Sequence, residues 1–137
     1  MIINPYLTFN GTCAEAFERY AEIFGAQITF MQKFSDAPMG ESMPAGSADR
    51  VMHARIEFEN AVLMASDAHT PGEVVYSGIS VQMSIATVGE AKRVFDALAE
   101  GGEIGMPFGS TFWSAGFGSL TDRFGIPWLI NCDEPSE

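Results

Sequence analysis

The feature that most constrains the fold of this chain is an order of elements that occurs twice. Residues 3–9 are β-prone, and Thr12-Cys13-Ala14-Glu15, which has the form of a capping box, precedes a stripe of apolar residues at helical spacing. Residues 79–86 and Thr87-Val88-Gly89-Glu90 repeat this order before a second apolar helical stripe. The two glutamates lie 75 residues apart, which is too long for a solenoid repeat and fits two larger units.

Each copy continues with three further segments that have the composition of strands. A glycine ends each helical stripe, at Gly25 and at Gly101-Gly102, where a helix C-cap is expected. Residues 35–50 and 67–78 are predicted to be loops. The remaining predicted strands cover residues 27–34, 51–58 and 61–66 in the first copy and 103–106, 115–120 and 126–132 in the second.

The composition limits the chain to a few classes of protein. Its 137 residues fit one domain, 1–137, with a first module at 1–67 and a second at 79–132. The net charge of −11, with seven scattered Lys and Arg, opposes binding to nucleic acid or anionic lipid. The sequence shows neither a membrane-spanning apolar run nor the basic segment of a signal peptide. Cys13 and Cys132 are expected to be reduced thiols in a cytoplasmic protein.

One face of the strand predicted at residues 51–58 is polar. Strand alternation puts His53, Arg55 and Glu57 on this face and an apolar set on the other. On a functional interpretation, His53 is a general base or hydrogen-bond donor, and Arg55 anchors an anionic ligand with Glu57 beside it. The alternative interpretation is a polar strand face that is exposed to solvent.

The second copy offers two further candidates for ligand contact. Ser80, Gln82 and Ser84 alternate with apolar residues, so their hydroxyl and amide groups share a face that can hydrogen-bond a ligand but chelates a metal poorly. Trp113 lies among Gly and Ser residues, where an aromatic ring stacks on a ligand or packs at a subunit interface. The alternative for the serine face is a half-solvated strand.

Two patterns point to more reactive chemistry. Asp67, His69 and Glu73 lie in one predicted loop and, with His53 nearby, could form a metal site, although loop carboxylates beside a histidine are common in acidic proteins. Cys13 lies just inside a predicted helix N-terminus, a position that lowers a thiol pKa. The alternative for Cys13 is a small residue in the first helical turn.

Motifs along nearly the whole chain resemble one known family. They are Pro5-Tyr6-Leu7-Thr8-Phe9-Asn10-Gly11, Glu15-Ala16, Phe24-Gly25-Ala26, Val51-Met52-His53-Ala54-Arg55, Leu63-Met64-Ala65-Ser66-Asp67, Met106-Pro107, Thr111-Phe112-Trp113 and residues 121–128. In this order they resemble the PhnB-like branch of the vicinal oxygen chelate superfamily, which includes glyoxalases, bleomycin-resistance proteins and extradiol dioxygenases. Some members carry the label 3-demethylubiquinone-9 3-methyltransferase, but the chain lacks the Gly-rich turn of a nucleotide-like cofactor site.

The resemblance implies an α+β fold in which two βαβββ modules form a curved mixed sheet around a cleft. In metal-using relatives, each module gives one metal ligand from its first strand and one from its last. The matching positions fall near Pro5, Met64, Ser80 and Leu129, and slips of one or two residues bring in no His and no carboxylate. We therefore expect no metal at these positions and no other cofactor.

These features predict a protein that binds a small organic molecule in its cleft without the metal of the superfamily. One alternative is a metal-free enzyme of the lyase or isomerase type that uses His53 as its acid or base. Another is a metalloenzyme with a displaced site at His53, Asp67 and His69.

The expected partners are the small-molecule ligand and a second copy of the chain, because the resemblance implies a dimer. Apolar residues that need not all reach one small core support the dimer. We expect the loop at residues 35–50 to fold over the cleft or onto the partner subunit through Met39 and Met43. The surplus apolar residues are Phe30, Met31, Phe34, Met106, Phe108 and Phe112.

Overall fold

The computed structural model describes residues 1–36 and 46–134, and these ranges contain two α-helices and eight strands. The helices are α1, Cys13–Phe24, and α2, Val88–Ala99. A short 3₁₀ turn, Phe34–Asp36, follows the second strand. The strands are β1 Tyr6–Phe9, β2 Gln27–Lys33, β3 Val51–Glu57, β4 Val62–Asp67, β5 Val81–Ile85, β6 Glu103–Gly109, β7 Phe117–Thr121 and β8 Pro127–Cys132.

The chain divides into two compact units, Met1–Val74 and Val75–Glu137, that share one topology. The sheet of the first unit has the order β1-β4-β3-β2, and that of the second has the order β5-β8-β7-β6. In each sheet the first and last strands of the unit pair in parallel, and the other neighbours are antiparallel. Each unit's helix packs on its own sheet. The predicted α+β class with two βαβββ modules is therefore confirmed.

Each core lies between the helix and one face of the sheet. Phe17 and Tyr20 of α1 are fully buried, and Phe17 meets Phe9 edge to face with ring centroids 6.4 Å apart. In the second unit, Phe95 of α2 and Trp128 of β8 are buried. Full burial of one such apolar side chain contributes about 1.5–3 kcal/mol, so these residues fix the helix on its sheet.

The two helices begin in different ways, although both sequences have the form of a capping box. The Thr87 hydroxyl oxygen accepts a hydrogen bond from the backbone N–H of Glu90 at 3.3 Å, as predicted. Thr12 makes no such bond, so the prediction for α1 is wrong. The buried Asp67 carboxylate replaces it, because its Oδ1 accepts from the N–H groups of Gly11 and Cys13 at 2.8 and 3.0 Å.

Several predicted boundaries differ from those in the structure. β1 begins at Tyr6, after Pro5, and β5 begins at Val81, so exposed Ser80 lies just before the strand. Asp67 is the last residue of β4 and is buried, whereas the sequence placed it in a loop. The expectation for Met39 and Met43 lies outside the described residues. Within the described ranges, no helix is long and apolar enough to cross a membrane.

Candidate functional site

The sheet of the first unit has a polar and aromatic face that points away from α1. In β3, Ala54 and Ile56 are buried on the helix side, while His53, Arg55 and Glu57 alternate with them and are partly or fully exposed. The predicted placement of these three residues on one face is thereby confirmed. We call this surface the open face of the first sheet, and it also carries Tyr6, Thr8, Phe30, Gln32, Met64 and Ser66.

His53 lies at the centre of an aromatic cluster on this open face. The Tyr6 hydroxyl is 3.0 Å from His53 Nδ1, and the two rings are stacked with centroids 5.7 Å apart. Phe30, on the other side, has its ring centroid 5.5 Å from that of His53. Tyr6 and Phe30 are 48% and 44% exposed, so the cluster presents apolar ring surface beside a polar imidazole.

Strand pairing explains why residues so distant in sequence meet here. Tyr6 in β1 is opposite Met64 in β4, and Met64 is opposite Arg55 in β3. Phe30 in β2 is opposite Arg55, after a register shift that begins at Ile28. Because paired residues point to the same side of a sheet, this register puts Tyr6 and Phe30 on the face that carries His53.

The imidazole of His53 has one nitrogen engaged and one available for a ligand. Since a tyrosine hydroxyl can donate or accept, Nδ1 can take either role toward Tyr6, and Nε2 takes the complementary one in the neutral ring. His53 can therefore donate to or accept from a bound molecule. These are the properties required of a hydrogen-bonding group or of an acid–base group.

Arg55 and Glu57 form an ion pair beside this cluster. Arg55 Nη2 lies 3.1 Å from Glu57 Oε1, and both side chains are well exposed. An exposed pair of this kind contributes about 0.2–1 kcal/mol to stability, so its conformation can change at little cost. A guanidinium has five N–H donors, and this contact engages one of them, so Arg55 keeps donors for an anionic group.

The candidates of the second unit occupy separate settings. The Gln82 amide nitrogen donates to Ser84 Oγ at 2.9 Å, and Gln82 is exposed on the β5 face that also carries Ser84. Ser84 is opposite Asn131 in β8, whose side-chain Oδ1 is buried and has no partner among the described residues. Ser80 precedes this strand and continues the alternation as an exposed residue. The sequence did not single out Asn131 as a site residue.

Trp113 lies on a hydrogen-bonded turn before β7, in the loop-like setting that the sequence predicted. The Thr111 hydroxyl oxygen accepts from the N–H of Ser114 at 3.2 Å, and the N–H of Thr111 donates to the Ser114 carbonyl at 2.9 Å. The indole is half exposed and meets Phe112 and Phe117 edge to face, at 4.9 and 5.3 Å between centroids. The turn thus holds a partly exposed aromatic ring in a defined position.

The contacts of Asp67 oppose a displaced metal site around it. Its Oδ2 accepts from the N–H of Val51 at 2.9 Å, and its Oδ1 already accepts two further N–H groups. The ring of His69 packs edge-on against Phe34, with centroids 4.9 Å apart. Across residues 1–36 and 46–134, no group of three or more His, Cys, Asp or Glu could hold a metal ion.

The metal positions implied by the resemblance do not fit a metal either. The parallel strand pairs put Tyr6 opposite Met64 in the first unit and Gln82 opposite Leu129 in the second. Thioether and aliphatic groups offer no donor to a hard cation, and a phenol and an amide are poor substitutes for the His and carboxylate ligands that such sites use. The chain therefore lacks the donor chemistry that the superfamily metal requires at these positions.

Cys13 is a structural residue. Burial, with the nearby Asp67 carboxylate as a smaller cause, raises the pKa of its thiol far above the ordinary value. The expectation that the helix N-terminus lowers this pKa is wrong, because loss of hydration outweighs the helix dipole at a fully buried sulfur. The thiol therefore stays protonated at neutral pH and is a poor nucleophile.

Comparisons with known proteins match nearly the whole chain. A family model described as 3-demethylubiquinone-9 3-methyltransferase matches residues 2–131. Protein YjdN of Escherichia coli K12 is 37% identical over 139 residues, which cover 96% of this chain and 95% of YjdN.

Two solved structures are also similar to this chain over nearly its whole length. Protein PA1353 from Pseudomonas aeruginosa is 45% identical, with a TM-score of 0.89 and 98% of each chain covered. A Bacillus cereus PhnB protein, described as a putative 3-demethylubiquinone-9 3-methyltransferase, is 25% identical with a TM-score of 0.80, covering 96% of this chain and 99% of its own.

A more distant structure shows the wider fold. A glyoxylase/bleomycin resistance protein/dioxygenase domain from Frankia sp. EAN1pec is 12% identical, with a TM-score of 0.66 over all of this chain and 93% of its own. At this identity the likeness shows the fold alone. The family model and the nearer relatives show that the chain belongs to the family described as 3-demethylubiquinone-9 3-methyltransferase, which includes PhnB proteins, and its fold is that of the glyoxalase/bleomycin-resistance structures.

Proposed function

We propose that this protein binds a small organic molecule on the open face of the first sheet, without the metal of the superfamily. The observation that carries the proposal is the aromatic cluster around His53. The ring centroids of Tyr6 and Phe30 lie 5.7 and 5.5 Å from that of the His53 imidazole, on a partly exposed face. Single exposed apolar residues are normal on a protein surface, whereas adjacent exposed rings such as these are typical of a ligand site.

The cluster favours a planar, unsaturated ligand with a polar group. Ring surfaces of Tyr6 and Phe30 offer stacking, which adds about 0.5–1.5 kcal/mol per aromatic pair beyond the buried area. His53 Nε2 offers one hydrogen bond, and Arg55 offers N–H donors to a carboxylate or phosphate. An aromatic or enolic acid satisfies all of these groups at once.

The predicted ligand contacts of the second unit are a separate proposal for that unit by itself. Ser80, Gln82 and Trp113 offer a hydroxyl, an amide and a half-exposed indole, and these groups suit hydrogen bonding and stacking on an organic molecule. Glu57 has the role of holding Arg55 until an anionic ligand displaces it.

Exchange of His53 tests the proposed site. Using a panel of aromatic carboxylates with 4-hydroxybenzoate as its reference compound, we expect His53→Ala to weaken binding about fivefold or more, as expected for loss of one hydrogen bond and one ring contact. Tyr6→Phe, which keeps the ring and removes the hydroxyl, is expected to have a smaller effect. Binding is measured by chemical-shift titration of labelled protein.

The second histidine provides the matched control for this experiment. His69 packs against Phe34 and lies off the open face, so His69→Ala is expected to leave the affinity unchanged. Equal losses for the two histidine variants, or no member of the panel binding at all, would count against the proposed site.

The contact between Tyr6 and His53 supports a second candidate function. A hydroxyl 3.0 Å from Nδ1 orients the imidazole and selects its tautomer, which is what a general acid or base of a metal-free lyase or isomerase needs. This candidate differs from simple binding in one respect: Tyr6→Phe would lower the turnover rate and alter its pH profile while ligand affinity stays nearly constant.

We also propose that the chain forms a homodimer in the cytoplasm. Phe30, Met106 and Phe112 are 44%, 43% and 92% exposed, so three of the predicted surplus residues remain at the surface, whereas Phe34 is buried in the core. β2 and β6 are edge strands, which need cover or a partner. Both thiols are free, as is usual for proteins of the reducing cytoplasm.

Sedimentation velocity tests the dimer. At micromolar concentration we expect a single species with twice the mass of one chain. Met106→Lys places a charge on the exposed edge strand β6 and is expected to shift the protein toward monomer, since an interface excludes unpaired charge. The control is Val75→Lys, at an exposed residue outside both sheets. A wild-type protein that sediments as one chain would refute the dimer.

A further inference from the structure

A cavity of about 340 Å³ lies in the first unit, beyond the C-terminal end of α1. This volume is at the lower end of the range for small-molecule pockets. The walls come from the end of the helix, from the start of β2 and from the turn after β3, where Gln27 and Glu57 pair in register. The lining residues are Phe24, Gly25, Ala26, Gln27, Thr29, Glu57, Phe58 and Glu59.

Two phenylalanine rings form the apolar wall of this cavity. Phe24 and Phe58 are tilted by 47° to each other with centroids 5.6 Å apart, and both are half-buried. Phe24 also stacks on the fully buried Tyr20 at 5.9 Å, which anchors it to the core. The wall is therefore held in place before any ligand arrives, and ring faces of this kind attract cations through their quadrupole.

The charges around the cavity are negative. Glu57 and Glu59 are both lining residues, with the Glu57 carboxylate held by Arg55, and no Lys, Arg or His lines the cavity. The C-terminal end of a helix carries a partial negative charge, and α1 has no basic residue in its last turn to offset it. Arg55 reaches Glu57 from the open face, so it neutralises part of one carboxylate, while Glu59 lies in an exposed turn.

From this combination we propose that the cavity binds a small organic cation, such as a substituted ammonium group. The Phe24 and Phe58 rings contact the alkyl groups, and Glu57 and Glu59 balance the charge. A metal ion does not suit the cavity, because hard cations need six or more oxygen ligands or three strong donors, and two carboxylates among phenylalanines do not provide them. The chain's net charge of −11 further raises the local concentration of cations.

Choline and its uncharged isostere 3,3-dimethyl-1-butanol test this site directly. We expect choline to cause saturable shifts of the Gly25 and Thr29 amide resonances, with a dissociation constant on the order of millimolar for so few heavy atoms. The uncharged isostere has nearly the same shape and is expected to bind much more weakly. Added salt should weaken choline binding, because the partners are partly exposed.

Variants separate a local site from the general effect of an acidic protein. Glu59→Gln is expected to weaken choline binding about threefold, in keeping with an exposed ion pair. Glu103→Gln removes the same charge from an exposed position in the second unit. We expect it to change the affinity for choline less than twofold, because salt screens the interaction between distant exposed charges. Phe58→Leu should also weaken binding, because it removes a ring face.

Three results would overturn the proposal. They are the absence of saturable choline shifts in the wild-type protein, equal affinity for choline and the alcohol, and equal loss of affinity in the Glu59 and Glu103 variants. His53→Ala should leave choline binding intact, so failure of the open-face site and failure of this cavity are separate outcomes.

Discussion

Replacing Asp67 with alanine is expected to lower the free energy of unfolding by about 3–5 kcal/mol, since it leaves three backbone N–H groups without their acceptor in a buried setting. The Asp67 carboxylate accepts from Gly11, Cys13 and Val51 at 2.8–3.0 Å. These bonds tie the start of α1 and the start of β3 to the end of β4. One side chain thus closes the first unit at three points.

Urea denaturation of the Asp67→Ala and Asp67→Asn variants measures this loss of stability. Asp67→Asn keeps the shape and one carbonyl oxygen but turns an amide NH₂ toward one donor, so we expect a loss of about 2 kcal/mol. The control is Asp133→Ala, at an exposed residue just after β8, with an expected change within about 0.5 kcal/mol. A loss for Asp67→Ala no larger than that of the control would show that the carboxylate does not hold the unit together.

In the second unit, the Asp122 carboxylate likewise accepts three hydrogen bonds. Asp122 Oδ1 accepts from the N–H groups of Phe124 and Ile126 at 2.9 and 3.0 Å, and its Oδ2 accepts from the Trp128 indole at 2.9 Å. These partners are two to six residues away, so Asp122 orders the tight turn between β7 and β8. Asp67 joins segments that are 16 to 56 residues apart.

This contrast explains which parts of the fold could be predicted from the sequence. The local signals are helix periodicity, glycines after the helices and strand composition. They predict α1, α2 and the succession of strands along the chain. The cap of α1 depends on Asp67, which is 54 residues from Cys13. No local pattern reports such a partner, so the sequence alone predicts Thr12 as the cap of α1 and offers Asp67 as a metal ligand.

The sequence also predicts only the part of the candidate site that lies within a single strand. Alternation alone placed His53, Arg55 and Glu57 on one face, because these residues share a strand. Tyr6 and Phe30 join them through strand pairing, and a register shift between Ile28 and Phe30 decides the side to which Phe30 points. A shift of one residue reverses the face of every later side chain in a strand, and sequence composition does not fix it.

The second large effect is expected at Gly102, between α2 and β6. A Cβ at this position would overlap the backbone oxygen of Thr121 and lie 2.9 Å from the Cα of Asp122. Backbone atoms of a paired strand cannot move aside as the end of a flexible side chain can. We therefore expect Gly102→Ala to lower the free energy of unfolding by about 3 kcal/mol, at the upper end of the cost of overpacking.

The matched control for this exchange is Gly89, in the first turn of α2. A Cβ at Gly89 meets no atom within 4 Å, so Gly89→Ala adds only helix propensity and is expected to stabilise the protein by about 0.5–1 kcal/mol. The two alanine variants should thus shift the urea midpoint in opposite directions. A Gly102→Ala midpoint equal to or above that of the wild type would mean that the helix and the β7–β8 turn can separate without cost, and that Gly102 does not set their close approach.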